Sequence, residues 1–418
     1  MKKKIKRKRK IRRYVKPKKP RKKVVFLIID GLADLPMNNK TPLSQAVKPN
    51  LNYFARNGVL GEMIPVPKEL WSDLTRASVS HLAAISLLGY DPKKYHVKRG
   101  PIEAVGTNIP YQEGHLAVRC NFATVDNEMK VLDRHAGRNI LGLDELARYI
   151  NEHVQLEVPH VFMRTYEHRA VLILKEKLSD KITNSDPYIA GEPVQRVQAL
   201  SSDADRSAKL VQEFVEKAHQ VIEYHPANEL RIKHGLPPAN FLLTREAGNV
   251  LPALSKQTFV KKYKLNKAVV IAENGVIKGV CMLAGFDAVT YSEMKPDQNL
   301  HFIFDNILSS LAEYDFVAAH IKWPDEPAHD GDFNKKQEMI ELIDQRLGAL
   351  KNFDGILVIT CDHITSTRLR RHEYGPVPIL VYGKRQKDKL EKFDEFSAKK
   401  GKLGLIRPKD LWKFVFNK

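Results

Sequence analysis

Residues 355–378, GILVITCDHITSTRLRRHEYGPVP, decide the fold. The apolar run 355–360 predicts a strand buried on both faces, as in a parallel sheet covered by helices. It ends at Asp362 and His363, and His372 follows on an arginine-rich loop. A carboxylate beside an imidazole at a strand's carboxyl end suits a divalent metal, and open α/β sheets bind ligands along that edge. Taken alone, these residues also fit an aspartate capping a turn with an exposed histidine beside it. The rest of the chain has to decide between the two.

Working outward, the same pattern recurs. The run VVFLII at 24–29 predicts a central parallel strand that delivers Asp30 and Gly31 to a loop. The runs 241–244, 268–272 and 316–321 are each apolar and each followed by a loop and a helical pattern. With helices predicted over 296–312 and 333–350, parallel α/β organisation is expected. The run 316–321 leads into DEPAH at 325–329, whose D-x-x-x-H spacing can place Asp325 and His329 on one site. Asp30, Asp325, His329, Asp362, His363 and His372 are thus gathered near predicted strand ends. Carboxylates mixed with imidazoles suit Mn²⁺, Zn²⁺, Co²⁺ or Mg²⁺, and the imidazoles argue against a purely oxygen site. A pair of such ions clamps the entering and leaving oxygens of phosphoryl transfer.

From about 105 to 225 the character changes. Strands predicted at 116–125 and 170–174 alternate with polar loops and an amphipathic helix over 203–223, with Ser201, Ser202 and Asp203 as candidate caps. This block reads as an inserted α+β domain, leaving 24–104 and 226–418 as a mostly parallel α/β core flanked by helices. Two domains are also what 418 residues lead one to expect. Within the core, Pro49 opens a short helix that Gly58 closes, and a helix is predicted over 77–88. The basic stretch 385–402 is expected to form a surface helix and loop.

The net charge of +20 is unevenly spread. Residues 1–23 hold 16 Lys or Arg and no acid, so removing them leaves +4. Such a tail cannot bury a core and is expected to be disordered. It has no apolar centre, which excludes a secretory signal, and it reads as an electrostatic arm for RNA, a ribosome or nuclear import receptors. A solvated extension without a partner is the plainer alternative. No apolar run approaches bilayer length, so a soluble, cytoplasmic chain is expected, with organellar or nuclear import left open by the tail. Cys120, Cys281 and Cys361 lie far apart and read as buried thiols in a reducing compartment.

At this point the wording of the chain resembles a known family. The segments VVFLIIDGLAD, KTPLSQAVKPNLNYFARNG, SLLGYDPKKY, KRGPIEAVG, LAVRCNFATV and DRHAGR occur in that order. EHRAVLIL, HPANELRIKHGLPPANFLLTREAG, AHIKWPDEPAHDGDF and TCDHITSTRLRRHEYGPVP follow. Together they span residue 24 to about 383 and resemble archaeal-type cofactor-independent phosphoglycerate mutases of the alkaline phosphatase superfamily. The resemblance implies an alkaline-phosphatase-like core, an inserted substrate domain and two divalent metal ions. Asp30, Asp362 and His363 are then expected to hold one ion together with a serine nucleophile, and Asp325, His329 and His372 the other. In the family a serine takes the phosphoryl group from phosphoglycerate, glycerate reorients, and the group returns to the other hydroxyl. This interconverts 3-phosphoglycerate and 2-phosphoglycerate in glycolysis and gluconeogenesis without 2,3-bisphosphoglycerate. A metal-activated alkoxide agrees with that chemistry, because a free serine hydroxyl is a poor nucleophile.

Ungapped alignment back from Leu87-Leu88-Gly89-Tyr90 places Ser80 as nucleophile and metal ligand, with Val79 where glycine is usual and His81 where aspartate is usual. A two-residue slip would substitute Ser78. A serine at a helix start sits among N–H groups that favour a bound phosphate. Arg99, Arg119, Arg138, Arg169 and Arg245 lie in matching stretches and are expected to clamp the phosphorylated acid. Lys322 is expected to neutralise charge on the transferring group. Ala328 stands where glycine is usual, Ile364-Thr365-Ser366 replaces Ser-Thr-Pro, His115 stands for aspartate, and Tyr188 stands for histidine. Two other readings stay open. One is a phosphatase or other phosphotransferase of the superfamily. The other is a mutase homologue without activity, held on RNA or a ribosome by its arm with steep salt dependence.

Overall fold

The computed structural model describes residues 22–72, 79–95, 97–291 and 293–416. In chain order its strands begin with β1 (Val24–Ile29), β2 (Gly58–Met63), β3 (His115–Val125), β4 (Val131–Asp133) and β5 (His160–Arg164). They continue with β6 (Arg169–Lys177), β7 (Phe241–Gly248), β8 (Ala268–Ile271), β9 (Asp287–Val289) and β10 (Phe316–Ile321). The last are β11 (Ile356–Thr360), β12 (Ile364–Ser366), β13 (Arg371–Glu373), β14 (Val377–Tyr382) and β15 (Leu405–Ile406). Eight of them form one sheet in the order β15-β2-β14-β11-β1-β10-β8-β9. β1 lies between β10 and β11 and is parallel to both, while β14 runs antiparallel between β11 and β2. The expected mostly parallel α/β sheet is therefore observed.

All six residues of β1, VVFLII, are buried, which is why the run carries no alternation: both sheet faces are covered. The helices Pro296–Ser310 and Phe333–Leu347 precede β10 and β11, close to their predicted extents. Below the sheet Phe26, Phe259 and Phe316 pack edge-on around Trp412, with Phe26 at 4.9 Å between centroids. Trp412 Nε1 also donates to Leu87 O at 2.6 Å, fixing the end of the Ser80–Leu87 helix to the core. Because β1, β10 and β11 are parallel, their carboxyl ends meet at one edge.

The second unit is a five-stranded sheet, β4-β3-β6-β5 with β7 on β3. The helices Leu143–His153 and Asp205–Ile222 pack on it around Phe122, Phe162 and Phe214. Here the sequence reading needs correction. The run 241–244 was expected in the large sheet, but β7 pairs antiparallel with β3, with Phe241 opposite Ala123 and Arg245 opposite Arg119. An apolar run specifies a buried strand without specifying its partner. The helix Pro226–Lys233 belongs with the same unit: its buried Arg231 donates to the carbonyls of Ala136, Asn139, Leu141 and Pro237. The second unit thus runs on to Gly248 rather than stopping at 225.

Smaller differences follow local chemistry. The long helix starts at Asp205 after a turn at Ser202–Ala204, and none of Ser201, Ser202 and Asp203 caps it through a side chain. In the stretch 385–402 only Glu395–Ala398 is helical. Most of the basic tail, residues 1–21, and Ser78 lie outside the described residues, whereas Lys22 reaches Asp354 at 3.4 Å and Lys23 donates to Leu311 O. All three cysteines are free and buried. No helix among the described residues is long and apolar enough to cross a membrane.

Candidate active site and metal centre

The three parallel strands carry the first cluster. Asp30 follows β1 and donates its N–H to Ile321 O at 2.8 Å, and Asp362 and His363 follow β11. His363 Nε2 lies 3.2 Å from Asp30 Oδ1 and 3.3 Å from Asp362 Oδ2. His320, inside β10 and opposite Ile28, adds its Nε2 at 3.6 Å from Asp30 Oδ2 and 3.9 Å from Asp362 Oδ2. The second cluster is built on the short helix Asp325–Asp330, whose four-residue spacing puts Asp325 and His329 on one face. His372, from β13, completes it: Asp325 lies 3.5 Å from the Nε2 of both histidines. In each cluster the three donor atoms lie within 4.8 Å of one another. The rings of His363 and His372 are 3.9 Å apart, so the clusters adjoin.

The donor set fits divalent cations. Asp30 Oδ1 and both oxygens of Asp362 are buried and accept no hydrogen bond among the described residues. Burial, then the neighbouring Asp362 and Asp325, push the Asp30 carboxyl well above its ordinary range. Burial acts the same way on Asp325, but His329 and His372 outweigh it and hold that carboxyl well below its usual range. Burial also lowers His363 to about 4, keeping its imidazole neutral as a ligand requires. The paired carboxylates of Asp30 and Asp362 beside the neutral His363 imidazole are relieved by a cation. Gly31 makes the approach possible. It has φ +62, and a Cβ there would stand 2.8 Å from Asp325 Oδ1 and 2.9 Å from Thr365 Oγ1.

One cavity of about 250 Å³ brings most of the expected residues together. From the core it is lined by Asp30, Ser80, Lys322, Asp325, His329 and His372, with Asp362 and His363 buried behind. Ser80 opens the Ser80–Leu87 helix, after Val79 at the cap position. From the helix Arg99–Gly106 and the second unit come Arg99, Arg119, Arg138, Arg169 and Arg245. Four of these crowd one another. Burial, then Arg99 and Arg245, depress Arg119 well below its usual value, and burial brings Arg99 to about 10 despite Glu103. Among the acids that face them, Glu103 lies 3.0 Å from Arg119 Nε, Glu167 3.0 Å from Arg169 and Asp186 3.8 Å from Arg245, while Glu246 and Glu326 also act on Arg99 and Arg169. Arg138 stands apart, half-exposed and 3.5 Å from Asp330. Such a concentration of guanidinium groups is complementary to an anion with more than one acidic group.

Several lining residues were missed by the sequence reading. Arg134 makes a two-point bond to Asp186, 2.8 Å in each arm. His135 and His168 meet edge-to-face at 4.6 Å. Burial first, and nearby arginines second, lower both, His135 to about 3, so both are neutral. Glu167, at φ +49 in the β5–β6 turn, reaches across to accept from Lys322, which also donates to Glu326. Just before it in the chain, Arg164 donates to Glu293 at 3.0 Å and Tyr166 to Glu273 at 3.1 Å, so this turn docks the second unit on the core. The signal existed for some: Arg134, His135, Glu167 and His168 fall within DRHAGR and EHRAVLIL. His320 was a lone polar residue in an apolar strand.

Known proteins resemble this chain along nearly its whole length. Residues 55–228 match the family model of 2,3-bisphosphoglycerate-independent phosphoglycerate mutase. A protein of that name from Archaeoglobus fulgidus is 38% identical over 404 residues, covering 93% of this chain and 96% of the relative. One from Methanothermobacter thermautotrophicus is 37% identical over 403 residues, with the same coverage. Among solved structures, a Pyrococcus horikoshii protein superposes with TM-score 0.76 at 29% identity, covering 95% of this chain and 97% of its own. The cofactor-independent phosphoglycerate mutase of Thermoplasma acidophilum gives 0.59 at 30% identity, covering 95% and 99%. With that identity along nearly the whole length of both chains, this protein belongs to the 2,3-bisphosphoglycerate-independent phosphoglycerate mutase family of isomerases.

Proposed function

We propose that the chain interconverts 3-phosphoglycerate and 2-phosphoglycerate through a phosphorylated Ser80, in glycolysis and gluconeogenesis. One observation carries this reading: Ser80, residues of both carboxylate–imidazole clusters and six arginines line a single cavity. Ser80 Oγ loses its proton and attacks phosphorus; the bond to the C3 oxygen breaks and that oxygen takes up a proton. Glycerate turns while the arginines hold its carboxylate. The C2 hydroxyl then loses its proton and attacks the phosphoserine, and Ser80 Oγ leaves. Lys322 neutralises charge on the group in transit. Asp30, Asp362 and His363 with Ser80 would hold one divalent ion, and Asp325, His329 and His372 a second, of Mn²⁺, Zn²⁺, Co²⁺ or Mg²⁺. Such ions, when bound, supply Lewis-acid stabilisation and favour the serine alkoxide.

The test is phosphoglycerate interconversion with Mn²⁺ present. Wild type and Ser78→Ala turn over, and Ser80→Ala does not. Robust turnover by Ser80→Ala removes the assignment. Release of free phosphate without the second isomer replaces it with a phosphatase.

For residues 1–23, 16 basic groups without an acid support a role as a polyanion-binding arm for RNA or a ribosome on a cytoplasmic enzyme. Ribosome co-sedimentation that falls steeply with salt supports it, and retention unaffected by deleting the arm overturns it.

A further inference from the structure

Between the two clusters stands one side chain that neither contains. Thr365 is fully buried in β12. Its Oγ1 lies 2.6 Å from Asp325 Oδ1, of the second cluster, and 3.0 Å from His363 Nδ1, of the first. In the β12–β13 hairpin it is also the register partner of His372. Its backbone is fixed on both sides. The Thr365 N–H donates to Ala33 O at 3.1 Å, and Lys336 Nζ, itself buried, donates to Thr365 O at 2.8 Å.

Proton bookkeeping sets the direction of each bond. A hydroxyl carries one proton, and an ionised carboxylate can only accept. The 2.6 Å separation is that of a hydroxyl donating to a charged oxygen. The single Thr365 proton therefore points at Asp325, and the hydroxyl oxygen must accept from His363 Nδ1–H. That leaves His363 with its lone pair on Nε2, the atom facing Asp30 and Asp362. An imidazole whose other nitrogen is held in this way is oriented and fixed in the metal-binding tautomer. The same bond occupies one lone pair of Asp325 Oδ1 and so fixes the rotation of that carboxylate.

We propose that Thr365 is a positioning residue that sets His363 and Asp325 together through one hydroxyl and so ties the geometry of the two metal sites to each other. The proposal rests on the metal-site reading given above and goes beyond it by assigning a residue that binds neither ion. Valine removes the hydroxyl and keeps the shape; serine keeps the hydroxyl.

The experiment measures Mn²⁺ binding by calorimetry on full-length wild type, Thr365→Val and Thr365→Ser, with thermal melting to establish folding. In parallel, the His363 tautomer is read from ¹⁵N-histidine spectra of the metal-free proteins. Thr365→Val is expected to fold and to bind both ions about 10–100-fold more weakly, as loss of an outer-shell partner does. Its His363 proton is no longer confined to Nδ1. Thr365→Ser stays within about threefold of wild type, on the same principle. Wild-type affinity at both sites in Thr365→Val overturns the proposal, as does a His363 in metal-free wild type protonated on Nε2. A wild type that binds no Mn²⁺ overturns the metal reading itself, and this proposal with it. Should Thr365→Val fail to fold, Thr365→Ser decides through the same two measurements, because a weakened serine variant also contradicts the proposal.

Discussion

Gly31→Ala tests the packing of the metal centre most sharply, because two separate costs can be read from one position. The first is backbone strain. Gly31 sits at φ +62, where a residue with a Cβ pays about 1–2 kcal/mol. The second is collision. The added carbon would stand 2.8 Å from both Asp325 Cα and Asp325 Oδ1 and 2.9 Å from Thr365 Oγ1, against an ordinary contact of 3.4 Å or more. Each neighbour has to retreat by about half an ångström, the tolerance within which a binding constellation keeps its function. Asp325 cannot retreat freely, since His329 and His372 flank its carboxylate. Gly31→Ala should therefore destabilise the chain and also weaken Mn²⁺ binding by about tenfold or more, in line with other disturbances of outer-shell geometry. Gly235→Ala is the control, with φ +71 and no atom within 4 Å of the new carbon. It should show only the strain cost in urea unfolding and bind Mn²⁺ as wild type does. Equal Mn²⁺ affinity in Gly31→Ala and Gly235→Ala would refute the reasoning.

Other consequences are as direct. Asp34→Ala strands the Lys336 ammonium, buried and 2.9 Å from the lost carboxylate, and should cost about 3–5 kcal/mol in denaturant unfolding. Arg245→Lys removes a planar donor from the anion-binding cluster and should raise the KM for phosphoglycerate about 10–100-fold, the worth of about 1.5–3 kcal/mol for a hydrogen bond to a charged group, while the fold persists. Burial, partly opposed by Lys322, lifts the Glu273 carboxyl from 4.5 to about 7. The folded chain then keeps a proton that the unfolded chain gives up, so this stabilisation is complete below about pH 4.5 and lost as pH rises through 7. Comparing melting of wild type and Glu273→Gln from pH 5 to 8 should show the flatter profile in the variant; parallel profiles count against it.

Much of this was legible in the sequence because parallel strands buried on both faces write themselves as unbroken apolar runs. β1, β10 and β11 are such runs, and the metal-type residues follow at their ends, where a parallel sheet must collect them. β7 was misplaced because its apolar run encodes burial and not pairing; its partner β3 lies more than a hundred residues away. The cation cluster was half-read. Arg119 and Arg245 came from strands, whereas Arg134, His135 and His168 lie in turns, where the direction of a side chain depends on the local backbone. Thr365 could not have been identified from sequence, because its importance lies in contacts on both sides of one oxygen. Ser80 was placed by counting back from Gly89, and it does open onto the cavity beside Asp30 and Asp325.

The central claim is that Ser80 carries the phosphoryl group between the two hydroxyls of glycerate. The most direct measurement is rapid acid quenching of the Mn²⁺-loaded chain during turnover of 3-phosphoglycerate, followed by tandem mass spectrometry of the peptide containing Ser78 and Ser80. The expected result is phosphate on Ser80 that appears with substrate and vanishes when substrate is removed. Phosphate on Ser78 instead, or continued interconversion with neither serine ever modified, would contradict the account.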